Sequence, residues 1–294
     1  MRKIVYGIVI SCLIVAGISA QGKQQGKQSE PKQQFDLSKE IDRIISKSGL
    51  SKQNIGISIY SANTGKKLYE KNAAQGFMLA SNAKLFTTSC SLVKLGKDYK
   101  FSTRLYYNGL FKESGALLGD LVVIGSGDPN ISGRFHNGDP TAIFKEWADK
   151  LKQNGIKKIN GDLLLDDTIF DKNYILDCWL NQDLSHWYVA PVGGLSLNDN
   201  CVDITVTGTK VGEKARIELS PSTRFVSIIN RTKTVKSGNP EIAFTREDGT
   251  NNIIIWGEIS ASDSYEFNVA IHNPTLFFGT VLKETLAHSG IEIV

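Results

Sequence analysis

Phe77-Met78-Leu79-Ala80-Ser81-Asn82-Ala83-Lys84-Leu85-Phe86-Thr87-Thr88 runs from an apolar lead into a predicted helix, and a serine stands at the join. The helix is expected from about Ser81 to Leu95, with Gly96 where a helix C-cap belongs. Ser81 and Lys84 are three residues apart, so on a helix they share a face and the amine can reach the hydroxyl. A lysine held in a desolvated cleft gives up its proton more readily and can act as base toward the serine. The helix N-terminus adds positive potential where negative charge would develop, and the Ser81 N–H can serve as one oxyanion donor. The spacing alone is weak evidence, because Ser-x-x-Lys also occurs at Ser29–Lys32 and Ser91–Lys94. The first of these contains Pro31 in a polar stretch. The second lies deep inside the helix, where no free N–H groups remain. On spacing alone, Ser81 also reads as a plain helix N-cap.

Upstream, 38–48 read as a helix, with Ile41, Ile44 and Ile45 spaced for one face. Residues 55–60 alternate like a strand, Asn63-Thr64-Gly65 is a turn, and Lys67-Leu68-Tyr69 begins the returning strand. The polar run 21–34 has no apolar side chain besides Pro31 and reads as a flexible linker. Before it, Arg2 and Lys3 precede an apolar run over 4–18, and Ser19-Ala20 follow. This is the pattern of a secretory signal occupying 1–20, and the run is short for a membrane span of about 20 residues. An uncleaved anchor and a lipid acceptor at Cys12 are the alternatives.

Downstream the texture changes. Residues 117–125, 161–166, 201–207, 215–219, 225–230 and 253–259 read as strands, with one clear helix over 141–154 whose face carries Phe144, Trp147, Ala148 and Leu151. A last helix is expected over 274–289, with Phe277, Val281, Leu282 and Leu286 apolar, and then a buried strand from Ile291. The chain of 294 residues is 41% hydrophobic and 22% charged, so it can fold around a real core. Its net charge of +4 is small, and it has no Lys/Arg stripe with interleaved aromatics, so nothing points to nucleic acid. Besides Cys12, Cys90, Cys178 and Cys201 are too sparse for a disulfide framework; Cys178 and Cys201 read as separate buried thiols, with pairing as the alternative. His136, His186, His272 and His288 are scattered singly, and no Gly-x-Ser-x-Gly, His-Glu-x-x-His, Cys-x-x-Cys or phosphate loop is present.

The 77–88 stretch resembles the active-site helix of the D-alanyl-D-alanine carboxypeptidases of the class C penicillin-binding type, the serine peptidase S13 family. Three further segments resemble that family in its own order: Gly125-Ser126-Gly127-Asp128-Pro129, Gly161-Asp162-Leu163-Leu164-Leu165-Asp166-Asp167, and Ala190-Pro191-Val192-Gly193-Gly194-Leu195-Ser196-Leu197-Asn198-Asp199-Asn200. The resemblance implies an α+β fold: an incomplete penicillin-binding transpeptidase-like (serine β-lactamase-like) domain, 35–98 with 272–294, and a large, mainly β inserted region, 99–271. It implies a serine-type D-Ala-D-Ala carboxypeptidase or endopeptidase with Ser81 as nucleophile and Lys84 as base. The implied partners are peptidoglycan stem peptides, with β-lactam antibiotics as inhibitors. No metal or organic cofactor is implied, and the place of work is the periplasm or cell envelope, with membrane contact only through an uncleaved signal or peripheral association. The family also needs a Ser-x-Asn and a Lys-Thr-Gly element. Ser196-Leu197-Asn198 and Lys236-Ser237-Gly238 match loosely, but both fall in the implied insert and read as coincidences, which places the working elements beyond residue 294. The alternative is a catalytically inactive envelope protein or peptidoglycan-binding remnant.

Overall fold

The computed structural model describes residues 36–50, 54–177, 179 and 184–294. The expected signal, linker, Ser29–Lys32 pair, Cys12 and Cys178 lie outside the described residues. The chain divides into two compact units, 1–99 and 100–294.

In the first unit, α1 (Leu37–Lys47) begins at Asp36, whose carboxylate accepts the Lys39 N–H at 3.1 Å and so fills one of the open donors of the first turn. β1 (Ile57–Tyr60) and β2 (Lys67–Lys71) form the expected antiparallel hairpin. Tyr69, opposite Ile59, is buried, and its hydroxyl donates to Asp42 of α1 at 2.6 Å. That bond ties helix to hairpin, and Ile45 is the other buried apolar residue of the described part of this unit. A single 3-10 turn, Ala80–Asn82, leads into α2 (Ala83–Leu95), which ends at Gly96 with φ +83° as the sequence predicts.

The second unit is α+β with most of its residues in strands and turns. β3 (Arg104–Phe111) pairs antiparallel with β4 (Ala116–Ile124). After α3 (Ala142–Gln153), β5 (Lys158–Asn160) and β6 (Leu163–Asp166) both join β4 in parallel. Next, β7 (Cys201–Thr207) and β8 (Arg216–Ser220) form two strands of a second sheet, and β9 (Ser227–Val235), β10 (Glu241–Arg246) and β11 (Asn252–Ser260) form a third in the order β10-β11-β9. β12 (Ser264–Ala270) completes the second sheet in the order β12-β7-β8. The chain then enters α4 (Pro274–His288) and closes with β13 (Glu292–Ile293), parallel to β5.

One core holds this unit together. Leu117, Leu121 and Val123 of β4 and Ile159 of β5 meet Phe144, Phe277, Phe278, Val281, Leu282 and Leu286. Phe144 and Phe278 join α3 to α4 edge-to-face with centroids 4.7 Å apart. Gly279 lets α4 approach β6, since a Cβ there would run into Leu165.

The C-terminal residues pack within the second unit. α4 is apolar nearly all round and needs cover on every side, which α3, β6 and β13 help supply. The strand after it is stitched to β5 by Val294 N–H to the Ile159 carbonyl at 2.9 Å. Among the described residues no helix is long and apolar enough to cross a membrane.

Candidate active site

The hairpin delivers the chain to the serine through Phe77, whose ring lies against Gly56 at the mouth of β1, where any Cβ would overlap it. The Leu79 carbonyl then accepts from the Asn82 N–H at 2.9 Å and from the Asn82 side-chain amide at 3.1 Å, which closes the 3-10 turn. Ala80, immediately before Ser81, has φ +46°. A left-handed alanine costs on the order of 1 kcal/mol, and such outliers gather where function fixes the backbone.

Lys84 stands in the first turn of α2, and its Nζ donates to Ser81 Oγ at 3.0 Å. The sequence-predicted pair is therefore brought together. The plain N-cap reading is not realised: Asn82 occupies the cap position of α2, and no side chain caps it. Ser81 and Lys84 are both exposed, as is every residue of α2. So the described residues of 36–99 set the Ser81 hydroxyl and the Lys84 amine in contact but raise no apolar wall around them. The other described tetrad behaves differently. Ser91 Oγ donates back to the Thr87 carbonyl at 2.8 Å, in mid-helix fashion, and is not bonded to Lys94.

The other candidate strings have structural employment. Asn198 is buried; its carbonyl oxygen accepts from the Gly133 N–H at 3.3 Å, and its amide donates to the Cys201 carbonyl at 3.3 Å and to Asp203 at 3.0 Å. Ser196 Oγ accepts from the Asn200 amide at 3.1 Å. Lys236-Ser237-Gly238 is an exposed bend after β9. Asp128 closes its own turn by accepting the Asn130 N–H at 2.9 Å. The three later sequence motifs converge within the second unit: Gly125 N–H reaches the Asp166 carbonyl at 2.8 Å, and Gly127 N–H reaches the Gly194 carbonyl at 2.7 Å. Gly127 has φ +76°, and a Cβ at Gly125 would strike the Gly194 backbone, so both glycines are demanded by that junction. Cys201 is a free, buried thiol; burial, reinforced by Asp199 and Asp203, pushes its pKa up to about 12, far from a reactive thiolate. Among the described residues no group of three or more His, Cys, Asp or Glu side chains could hold a metal ion. Nothing in the sequence signals the left-handed Ala80, and the Asn-Asp-Asn composition is the one signal of the three consecutive left-handed residues Asn198, Asp199 and Asn200.

The model of the D-Ala-D-Ala carboxypeptidase 3 (S13) family matches residues 37–294. A D-alanyl-D-alanine carboxypeptidase of Actinomadura sp. is 27% identical over 266 residues, covering 88% of this chain and 48% of the relative. D-alanyl-D-alanine carboxypeptidase DacB of Haemophilus influenzae is 30% identical over 245 residues, covering 81% and 49%. The chain thus spans about half the length of the curated relatives it matches. The crystal structure of penicillin binding protein 4 (dacB) from Haemophilus influenzae superposes with a TM-score of 0.63 at 23% identity, over 81% of this chain and 52% of the other. A second structure of that protein, complexed with a β-lactam, gives 0.57. These likenesses show the penicillin-binding-protein fold.

Proposed function

Because the chain belongs to the D-Ala-D-Ala carboxypeptidase 3 (S13) family, we propose that it supplies the nucleophile-bearing part of a serine-type carboxypeptidase acting on peptidoglycan stem peptides. The observation that carries this reading is the 3.0 Å bond from Lys84 Nζ to Ser81 Oγ at the head of α2. In the proposed step, Oγ attacks the carbonyl carbon between the two terminal D-alanines while the amine takes its proton. The C–N bond then breaks, the departing amine regains a proton, and water later hydrolyses the acyl-serine. A β-lactam would acylate the same oxygen, with its ring opening instead of a free amine departing. The proposed setting is the cell envelope, with 36–99 as part of the transpeptidase-like domain and 100–294 as the region that carries the family's later motifs.

The test is prolonged incubation of the 294-residue chain with a labelled penicillin, followed by peptide mapping. Slow labelling confined to Ser81 and lost in Ser81→Ala is expected. Label on another residue, or label that persists in Ser81→Ala, would overturn the assignment. No label after prolonged exposure would favour an inactive envelope protein, a reading to which the exposure of Lys84 lends its one support.

A further inference from the structure

A cavity of about 720 Å³ lies wholly within the second unit, between the 131–138 turn, the 198–203 segment and β12. Its wall is polar. Asp203 accepts from the amides of Asn198 and Asn268, and Arg134 pairs with Asp199. Among the described residues, the amide oxygen of Asn268, the second carboxylate oxygen of Asp199 and the remaining guanidinium N–H groups of Arg134 have no protein partner. Donors and acceptors are therefore both on offer. Arg134 answers Asp199, and Asp203, held by two neutral amides, leaves the wall with an excess of negative charge.

Trp187 lines the same cavity with 61% of its surface exposed. The indole offers the cavity a flat apolar face with a polar N–H at its edge. It also continues an aromatic strip. Its ring meets Tyr188 edge-on at 6.1 Å, Tyr188 stacks on His186 at 5.2 Å, His186 meets Phe244 at 5.4 Å, and Phe244 stacks on Phe267 at 4.4 Å. The loop bearing Trp187 is pinned from behind. Buried Arg246 donates to the Leu184 carbonyl at 3.0 Å and to the Ala270 carbonyl at 2.8 Å, its N–H reaches Ser185 Oγ at 2.8 Å, and His186 bridges Val269 of β12. Trp187 is thus presented on a held backbone, which lowers the ordering cost of binding.

A flat apolar ring beside mixed donors and acceptors, on a wall that repels anions, fits a neutral ligand with apolar faces and hydroxyl or amide edges. That is the chemistry of a sugar. A phosphate would meet Asp199 and Asp203, and an aliphatic side chain would leave the polar wall unused. We propose that this cavity is a saccharide subsite that takes a strand of acetylated amino sugars. The saccharide chemistry stands on the cavity alone; the choice of amino sugar rests on the peptidoglycan reading above.

The test is calorimetric titration of the intact 294-residue chain with the tetramer of N-acetylglucosamine, which carries no peptide. Saturable binding is expected at about millimolar concentration or below. Trp187→Ala should weaken it at least about tenfold, Trp187→Phe less because a flat ring remains, and Asn268→Ala measurably. Ser81→Ala should bind as the parent does, so loss of acylation and loss of glycan binding can be told apart. No binding up to about 10 mM, or equal affinity in Trp187→Ala, would overturn the proposal. Should Trp187→Ala fail to fold, the Phe and Asn268 variants carry the test, and unchanged affinity in both would overturn it as well.

Discussion

α2 and α4 are apolar helices of 13 and 15 residues with opposite fates. In α4, Phe277, Phe278, Leu282 and Leu286 are wholly buried. In α2 no residue is buried, and Leu85, Phe86 and Val93 keep 58%, 65% and 83% of their surface. Composition does not separate them; the cover each receives within its own unit does. α4 has α3, β6 and β13 against it, whereas the described residues of 36–99 offer α2 little beyond its lead-in turn. Each large apolar side chain left in water forgoes about 1.5–3 kcal/mol of burial. The helix that bears Ser81 and Lys84 is thus the one that the described residues of its own unit leave uncovered, whereas α4 is enclosed within its unit.

The sharpest way to press this contrast is chemical. Lys84→Ala removes the amine that bonds Ser81 Oγ, and the rate of penicillin labelling should fall by about three orders of magnitude, as for members of a unit that acts together. An unchanged rate would show that the pair seen at 3.0 Å is not the working one.

Stability should divide the two helices next. Phe278→Ala empties the α3–α4 seam and is expected to cost about 3–5 kcal/mol in denaturant unfolding. Phe86→Ala on α2 should stay within about 0.5 kcal/mol. Similar losses at both positions would erase the distinction.

A smaller effect concerns the junction between β6 and α4. Burial pushes the Asp167 carboxyl up, but bonds from Thr275 and Tyr174, with the charge of Lys172, outweigh it and hold the group below the ordinary carboxylate range. Its folded value is lower than its unfolded one, so its stabilisation is complete above the unfolded value and is lost as pH falls through the folded one. Asp167→Ala should cost about 1–3 kcal/mol near neutral pH, because two hydroxyls lose their acceptor, and the loss of stability on acidification should shrink. Equal acid sensitivity in the variant would contradict this.

Much of the scaffold was legible in the sequence because periodicity and glycine report local needs. The α2 span, the Gly96 cap, the α3 and α4 faces and the order of the motifs all come from such signals. The expectation stopped where contact decides. β3 contains Asn108-Gly109, a pair that ordinarily marks a hairpin turn, yet Gly109 sits in mid-strand opposite Gly119, where a Cβ on either would strike the facing backbone. β12 pairs with β7, far off in sequence, and β10 pairs with neighbouring β11, but their short alternations do not read as strands from the sequence alone. The unit to which α4 belongs depends on which surfaces meet it, which no linear pattern contains. The Ser81–Lys84 pair was visible because an i,i+3 helix contact is local. The cavity beside Trp187 was not, because Arg134, Asp203 and Asn268 are gathered from three separate strands and turns.

The direct test of the contrast is hydrogen exchange followed residue by residue on the whole 294-residue chain. Amides of α4 and β4 should exchange only through global opening, while amides of α2 should exchange through local opening that costs little, orders of magnitude faster. Protection of α2 equal to that of α4 would contradict the account, since it would mean that the Ser81 helix is already covered.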